Sequence, residues 1–355
     1  MMIEEIKYKP FKVELTKPFQ ISTEKISERT GFYLTIRDCS GNLGLGEISP
    51  LPGFSNESLQ EAENDINNLI NFFSEKEFEF NFTFNLELLS GRKIVPSAIF
   101  GFEQALINLL LQQNNPVVTN FLSSIKKNLI EINSIVDISE PAETLNKVND
   151  AINTGYRTIK LKIGRKNFDE DLTIIDSIRN NIPEEIQLRL DPNGAWDVDT
   201  AFINLQKLSG YNIQYIEDPC THPDCMLKLN SMSPIPIALD LCVNTMEDLA
   251  THISSGKFKY IVVKPMLLGS IVKLIELIKV ANSMHVNLII SSAFETVIGR
   301  SMLVLFAAMT NHHYAHGLAT AGYFRNEITK DQYQIKNGSI NFDNNSFPPK
   351  FEISL

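Results

Sequence analysis

Three acidic residues end successive apolar segments of the chain: Asp191, Glu217 and Asp240. If these segments are parallel strands of a barrel, their C-terminal ends lie together at one mouth. Three converging carboxylates repel one another unless a cation lies between them. An oxygen-only set suits Mg²⁺, with Mn²⁺ as a possible substitute. The alternative is that each acid caps the helix that follows its strand, which is common for one acid and uncommon for three in succession.

Two lysines alternate along the preceding apolar segment, residues 158–163. Lys160 and Lys162 share one face because strand side chains repeat with a period of two, and the apolar residues take the other face. A closed parallel barrel has no open edge, so we expect both lysines to point inward. Lys264 ends the strand candidate 260–264, four strands later and therefore across the barrel. Two lysines on opposite sides of a metal suit proton transfer at carbon.

The elements that position these residues alternate as strand and helix from about residue 128 onward. Such alternation predicts a parallel sheet, and eight units predict an α/β fold of the (β/α)8-barrel type. Helical patterns at 168–180 and 270–282 separate strands, whereas the stretch between Glu217 and Ile235 is poor in helix signals and predicts a degenerate unit. The strand candidates are 129–138, 158–163, 187–191, 213–217, 235–240, 260–264, 286–291 and 314–318.

The two ends of the chain leave this pattern, which divides it into 1–125, 126–322 and 323–355. The first part is mixed α+β, with a helix predicted over Ser97–Leu111 and Ser97 as its N-cap. In the last part, residues 333–342 predict a β-hairpin whose tight turn is Asn337-Gly338.

Composition excludes several classes of protein. The chain has 355 residues with 43% hydrophobic and 21% charged residues, which is typical of a globular protein. Its net charge of −10 argues against binding to nucleic acid or to an anionic membrane. Four cysteines are too few for a disulfide framework and favour a reducing compartment. The acidic start lacks the pattern of a signal peptide, and no apolar run is long enough to span a bilayer, so we expect a cytoplasmic protein.

The order Lys-x-Lys, Asp-x-Asn, Glu, Asp, Lys on successive strands resembles the enolase superfamily, muconate-lactonising branch. Three further segments are similar to o-succinylbenzoate synthases of that superfamily, namely 46–55, 291–295 and 316–318. The resemblance covers essentially the whole chain. It implies that residues 1–125 form a capping domain, to which the C-terminal segment 323–355 returns.

The resemblance also implies a reaction, which is syn-elimination of water from a succinyl-substituted cyclohexadiene carboxylate in menaquinone biosynthesis. Lys162 would remove the α-proton and then protonate the departing hydroxyl, and Lys264 would stabilise the enediolate from the other side. Mg²⁺ on Asp191, Glu217 and Asp240 would bind the substrate carboxylate. The partner is thus a small dicarboxylate. The substrate-binding residues would be Lys160, Asn193, Ser291, Ser292, Gly317, Arg29, Leu51 and Phe54.

Arg189 lies two residues before Asp191 and shares its face of the strand, which predicts a supporting contact with that carboxylate. Leu241 and Ala319 depart from the family pattern, which usually has acids at both positions. Without an acid at 319 or 321 a dipeptide epimerase is disfavoured, whereas an N-acylamino acid racemase stays open because the same two lysines serve it. An alternative of another class is a non-catalytic barrel that binds a carboxylate ligand. The oligomeric state is left open.

Overall fold

The computed structural model describes residues 3–21, 24–74, 93–123, 125, 127–326 and 328–351. Its N-terminal part is a three-stranded antiparallel sheet of order β1-β2-β3 with helices packed on it. Alternating buried side chains along the sheet pack against the second helix. The elements are β1 Ile3–Ile21, β2 Glu24–Asp38, β3 Leu43–Ile48, α1 Leu59–Ser74, α2 Pro96–Gln112 and α3 Pro116–Ser123.

Strand β3 and helix α2 approach so closely that glycine is needed between them. A Cβ atom at Gly44 would lie 1.9 Å from the Ala105 carbonyl oxygen, and one at Gly46 would lie 1.9 Å from that of Gly101. This contact fixes the end of β3, from which the loop 49–55 extends to the barrel.

The prediction that Ser97 is the N-cap of α2 is wrong. The helix begins at Pro96 with Val95 as N-cap, because proline has the backbone angle of a first helical residue and no N–H to satisfy. The free N–H of Ser97 instead donates to Glu57 Oε1 at 3.0 Å.

The second part is a ring of parallel strands surrounded by helices. Seven strands form one sheet of order β11-β10-β9-β8-β7-β6-β5. The strands are β4 Leu129–Glu131, β5 Ser134–Asp137, β6 Thr158–Lys162, β7 Gln187–Asp191, β8 Ile213–Glu217, β9 Ile237–Leu239, β10 Tyr260–Val263 and β11 Asn287–Ile290. The helices are α4 Pro141–Asn153, α5 Phe168–Asn181, α6 Val198–Leu208, α7 Pro223–Met232, α8 Met246–Ser255, α9 Pro265–Leu268, α10 Ile271–Ser283 and α11 Val297–Met309.

The ring closes through a short segment rather than through the full strand predicted at 314–318. His316 bridges Ile132, and Gly317 bridges Ser291, both in parallel register. The first strand candidate, 129–138, is also divided, into β4 and β5. The predicted barrel architecture is confirmed, and its eighth position is an isolated pair of bridges.

The unit between Glu217 and Ile235 is complete, so the prediction of a degenerate unit is wrong. Helix α7 begins at Pro223, and His222 Nδ1 accepts a hydrogen bond from Asp224 N as its N-cap. Only Met226 and Leu229 of this short helix are buried, which explains its weak periodic signal in the sequence. The structure also pairs Cys220 with Cys225 in a disulfide, which the sequence analysis did not predict.

The predicted tight turn of the C-terminal hairpin is present at Asn337-Gly338, but the strands predicted on either side of it are reduced to one residue pair. Lys336 and Ser339 form a single antiparallel bridge across Asn337 and Gly338, which both have positive φ. Strand β12, Ser339–Asn341, instead pairs antiparallel with β4 at the barrel. Two 3-10 turns, Ala319–Tyr323 and Asn344–Ser346, complete the described elements.

The same segment contacts the first sheet where Phe324 bridges Leu15 and Arg325 N donates to the Glu14 carbonyl. Among the helices described above, none is both long and apolar enough to cross a membrane.

Candidate active site

The barrel strands carry two sets of side chains with opposite environments. Ile159, Leu161 and Leu190 point outward into the large apolar core beneath the helices. Lys160, Lys162 and Asp191 alternate with them and face the interior, as the period of two requires. The structure thereby brings the charged residues of β6 to β10 together at the C-terminal mouth. These residues are Lys160, Lys162, Asp191, Glu217, Asp240 and Lys264.

Each carboxylate at this mouth is paired with a lysine. Lys160 Nζ donates to Glu217 Oε1 at 2.6 Å and lies 2.9 Å from Asp191 Oδ2. Lys162 Nζ donates to the same Asp191 oxygen at 2.5 Å. Lys264 donates to both oxygens of Asp240. The two lysines proposed for proton chemistry therefore lie four strands apart on opposite sides of the carboxylates.

Burial and charge act against each other in this cluster. For Asp191, burial disfavours the ionised form, but Lys160 and Lys162 outweigh it and lower the pKa of the carboxyl. For Lys160, burial disfavours the charge, yet Asp191 and Glu217 raise the pKa of the amine well above its usual value. Burial raises the pKa of Glu217, Lys160 opposes this, and Asp191 and Asp240 add repulsion. Burial is therefore the main reason that the pKa of Glu217 is raised, and the other two acids add to it.

The donor set fits a hard divalent cation. All three acids offer carboxylate oxygens, and Glu217 Oε2 is buried without a hydrogen-bond partner. Within the described residues, no three His, Cys, Asp or Glu side chains are already arranged as a metal cluster, since the carboxylates are turned toward the lysines.

The mouth opens into a cavity of about 920 Å³ between the barrel and the first sheet. Leu51, Phe54, Asn193 and Ser291 line it, together with the three lysines. The ring of Phe54 lies 5.2 Å from Lys264 Nζ, at cation–π distance. Asn193 N donates to Asp191 Oδ1 at 2.9 Å, which fixes the other oxygen of that carboxylate. These four predicted substrate-binding residues thus lie at the cavity.

Ser292 also borders the cavity, but its hydroxyl is fully used within the protein. It donates to Glu295 Oε2 at 2.6 Å and accepts from Phe294 N at 3.0 Å and Thr320 Oγ1 at 2.9 Å. A hydroxyl has one donor and two acceptor positions, and these three bonds use them. Ser292 therefore lies at the cavity, and its hydroxyl also holds the loop after β11. Its role in binding substrate stays a prediction.

Gly317 supports its neighbour rather than lining the cavity. A Cβ atom there would lie 2.7 Å from Ser291 Oγ, so glycine leaves room for that hydroxyl.

Arg29 does not line the cavity itself but holds the two loops that border it. It is 1% exposed and donates to the carbonyl oxygens of Ser49, Pro50 and Phe294 at 2.7–3.1 Å. Burial, opposed by Glu295, lowers the pKa of the guanidinium to about 10. Arg29 therefore joins the capping loop to the loop after β11.

Arg189 points into the barrel but does not support Asp191. Its guanidinium donates to Gln214 Oε1, Asn133 Oδ1 and the Ala315 carbonyl, and it lies over the ring of Tyr215 at 4.7 Å. Two residues along a strand are separated by about 6.6 Å, so the long side chain turns down to the layer below the acids.

The sequence analysis did not single out Asp218, which follows Glu217. This residue is 1% exposed, and its carboxylate accepts hydrogen bonds from Asp240 N at 3.0 Å and Leu241 N at 2.6 Å. Burial, together with the charges of Asp240 and Glu217, raises the pKa of Asp218 well above its usual value. An acid directly after a predicted ligand was the only signal in the sequence.

A ring of parallel strands, with lysines and carboxylates at its mouth and a capping sheet above, defines a barrel enzyme with a capping domain. Residues 143–346 match the family model described as enolase C-terminal domain-like, and residues 4–109 match the MenC N-terminal domain. The chain belongs to the enolase C-terminal domain-like family.

Two curated relatives match most of this chain. The o-succinylbenzoate synthase of Aliivibrio salmonicida is 28% identical over 86% of each chain. The chloroplastic protein PHYLLO of Arabidopsis thaliana is 24% identical over 91% of this chain, which spans only 21% of that longer protein. The predicted membership in the enolase superfamily and the resemblance to o-succinylbenzoate synthases are confirmed.

Solved structures agree on the fold. The dipeptide epimerase of Enterococcus faecalis, complexed with Mg and L-Leu-L-Tyr, superposes with a TM-score of 0.84 at 20% identity over 97% of this chain and 98% of that one. The muconate lactonizing enzyme of Pseudomonas fluorescens, complexed with muconolactone, gives 0.84 at 20% identity over 96% and 94%. Because these proteins differ in the reactions their names state, the likeness fixes the architecture and leaves the reaction to the site.

Proposed function

We propose that the chain catalyses the syn-dehydration of 2-succinyl-6-hydroxy-2,4-cyclohexadiene-1-carboxylate to 2-succinylbenzoate, a reaction of menaquinone biosynthesis. One observation carries the proposal: Lys162 and Lys264 reach one cavity from opposite sides of three carboxylates. The match of residues 4–109 to the MenC N-terminal domain favours this reaction over others with the same lysine pair.

Asp191, Glu217 and Asp240 would hold Mg²⁺, and Mn²⁺ could replace it. When bound, the ion supplies positive charge at the substrate carboxylate, where negative charge increases as the neighbouring C–H bond breaks. The unpaired Glu217 Oε2 and the all-oxygen donor set support this assignment.

Lys162 would carry the proton. Both lysines of β6 line the cavity, but the Lys162 side chain is 36% exposed against 12% for Lys160, so Lys162 is the more accessible to a substrate. In its amine form, Nζ takes the α-proton, and the electron pair of the C–H bond moves onto the substrate carboxylate to give the enediolate. The resulting ammonium then protonates the hydroxyl on the same face. The enediolate electrons return to form the new ring double bond as the C–O bond breaks, and water leaves an aromatic ring.

Lys264 would act from the opposite face without transferring a proton. Asp240 and the ring of Phe54 hold its ammonium in place, where it offsets the negative charge of the enediolate. Leu51 and Phe54 would exclude water from the ring of the substrate, and Asn193 and Ser291 would contact its polar groups.

Two other activities of the superfamily are alternatives for this chain. An N-acylamino acid racemase would use the same two lysines, whereas a dipeptide epimerase stays disfavoured. Residues 319–321 form a 3-10 turn in which Thr320 donates to Ser292, and no carboxylate is available there for a substrate ammonium group.

The experiment is an assay of the purified protein on the cyclohexadiene acid, with EDTA and with Mg²⁺ added back. The proposal expects aromatic product that EDTA abolishes and Mg²⁺ restores. A parallel incubation of N-succinyl amino acids in D₂O follows exchange at the α-carbon. Exchange at the α-carbon without dehydration of the cyclohexadiene acid would indicate an N-acylamino acid racemase in place of the proposed function. Neither activity, with no Mg²⁺ binding in a calorimetric titration, would indicate a non-catalytic carboxylate-binding barrel.

A further inference from the structure

The residue after Glu217 connects three strand ends of the barrel. Asp218 N donates to the Ala238 carbonyl at 3.1 Å, and the Asp218 carbonyl accepts from Gly194 N at 2.7 Å. The Asp218 carboxylate accepts from Asp240 N and Leu241 N. Its backbone and side chain thus contact the segments that follow β7 and β9 as well as its own strand.

Each of these three segments carries one of the acids assigned to the cation. Asp191 is the last residue of β7, Glu217 is the last residue of β8, and Asp240 directly follows β9. We propose that Asp218 is a positioning residue that holds the backbone of Asp240, and thereby sets the spacing of the three carboxylates that bind the divalent cation. The cation itself rests on the proposed function, whereas the contacts of Asp218 do not.

A carboxylate is the side chain that these two amides require. Asp240 N and Leu241 N point at separate oxygens, Oδ1 and Oδ2, at 3.0 and 2.6 Å. An asparagine has only one oxygen, so its amide nitrogen would face a second N–H donor. The acid also lies close to the like charges of Glu217 and Asp240, where packing alone would favour a neutral side chain.

The backbone of Asp218 permits a clean substitution. Its φ is +41°, in the left-handed region where asparagine is well tolerated and glycine is unstrained. Asp218→Asn therefore replaces one of the two acceptor oxygens and preserves the conformation of the turn. Asp218→Gly removes the side chain without backbone strain and serves as the second variant.

Asp38 provides a matched control in the first sheet. Its carboxylate is also buried in a turn and accepts from Ser40 N at 2.9 Å and Asn42 N at 2.8 Å. Asp38→Asn makes the same chemical change away from the barrel mouth.

The test combines amide hydrogen exchange of the full, metal-free chain with calorimetric titration of Mg²⁺. In Asp218→Asn and Asp218→Gly we expect the amides of residues 240 and 241 to exchange at least tenfold faster, and the Kd for Mg²⁺ to rise at least tenfold. At Asp38 both amides donate to Oδ1, which asparagine retains, so Asp38→Asn should leave both the exchange of residues 240 and 241 and the Kd for Mg²⁺ unchanged.

Unchanged exchange at 240 and 241 would overturn the proposal, as would an unchanged Kd for Mg²⁺ in both Asp218 variants. A wild-type protein that binds no Mg²⁺ would instead overturn the proposed function. Because hydrogen exchange needs neither metal nor substrate, the two failures are distinguishable.

Discussion

Lys160 and Glu217 form a buried ion pair, with Nζ and Oε1 2.6 Å apart, inside the mouth of the barrel. The same ammonium lies 2.9 Å from Asp191 Oδ2, so one lysine compensates two of the three acids. The cation assigned to these acids would therefore meet a site in which a positive charge is already present.

Lys160→Met tests this relationship. Removal of one partner from a buried ion pair costs about 3 kcal/mol, because the remaining charge loses its compensation. We expect the metal-free variant to unfold several degrees below the wild type. We also expect Mg²⁺ to raise its Tm more than that of the wild type, since the ion then replaces the missing charge.

Thermal unfolding of both proteins with EDTA and with saturating Mg²⁺ measures these shifts. Lys207→Met is the control, because Lys207 pairs with Asp169 at the exposed surface, where an ion pair contributes little. An equal Mg²⁺ shift in Lys160→Met and wild type would contradict the assignment of the acids to the cation.

Substitutions of Lys162 and Lys264 should have different effects on dehydration and on α-proton exchange. Lys162→Ala is expected to lower kcat for dehydration by about 10²–10⁴-fold, the range for a lost general acid–base residue. Lys264→Met should also lower kcat, because the charge of the enediolate loses its partner, but it should retain α-proton exchange in D₂O. Exchange that survives in Lys162→Ala and vanishes in Lys264→Met would reverse the two roles.

Arg29 should affect substrate binding through the loop 49–55, whose first two residues it holds. Arg29→Met removes the buried hydrogen bonds to the Ser49 and Pro50 carbonyl groups, which costs about 2 kcal/mol, together with the bond to Phe294 that ties this loop to the barrel. We expect KM to rise more than kcat falls, because Leu51 and Phe54 follow directly in that loop. Arg29→Lys should recover only part of the loss, since an ammonium lacks the planar fork.

The exposed Arg37 of the same strand gives the control variant Arg37→Met. Steady-state kinetics that show equal KM for Arg29→Met and Arg37→Met would rule out this role.

The barrel core could be predicted because local and global patterns agree there. The alternation of Lys160 and Lys162 with Ile159 and Leu161 follows from strand geometry alone, and a closed parallel sheet leaves only one direction for the lysines. Strands β7 and β8 match their predicted ranges, 187–191 and 213–217. The convergence of the acids at the mouth follows from the positions of these strand ends.

What the sequence could not show depends on contacts between distant segments. Arg29 and Ser292 have residue types that fit a binding site, yet Arg29 donates to carbonyl groups of two loops and the Ser292 hydroxyl bonds to Glu295 and Thr320 within the protein. The eighth strand is two bridges because β4 and β11 supply its hydrogen bonds, and no local pattern at 314–318 reveals that. Asp218 is recognisable only once β9 brings the amide of Asp240 to it.

We predict that the difference in stability between the wild type and Glu295→Gln depends on pH. Burial raises its pKa to about 7 from an ordinary 4.5, so the folded state binds more protons than the unfolded state between these values. The stability that the protonated acid contributes is lost as pH rises through this window. Glu295→Gln cannot ionise, so we expect its stability relative to wild type to increase from pH 5 to pH 8.

Urea unfolding of wild type, Glu295→Gln and the exposed control Glu184→Gln at both pH values measures this difference. A gap between wild type and Glu295→Gln that stays constant with pH would show that Glu295 does not titrate in this window.

We predict that the contribution of His312 to folding stability has the opposite pH dependence, at lower pH. Burial, with a further effect from Lys127, lowers its pKa to about 3, and the neutral ring makes two hydrogen bonds, to the Leu288 carbonyl and from Tyr314 N. Because the folded pKa lies below the unfolded value of about 6.5, the stability is present above pH 6.5 and is lost as pH falls toward 3.

His312→Gln keeps a donor for Leu288 but cannot titrate. We expect the variant to be less stable than wild type at pH 7, and to lose less stability on acidification from pH 6.5 to 4.5. One such histidine contributes a slope of up to about 1.4 kcal/mol per pH unit, which urea unfolding resolves. His313→Gln, at an exposed neighbour, should keep the wild-type slope, and an equal slope in all three proteins would exclude His312 as the group that titrates.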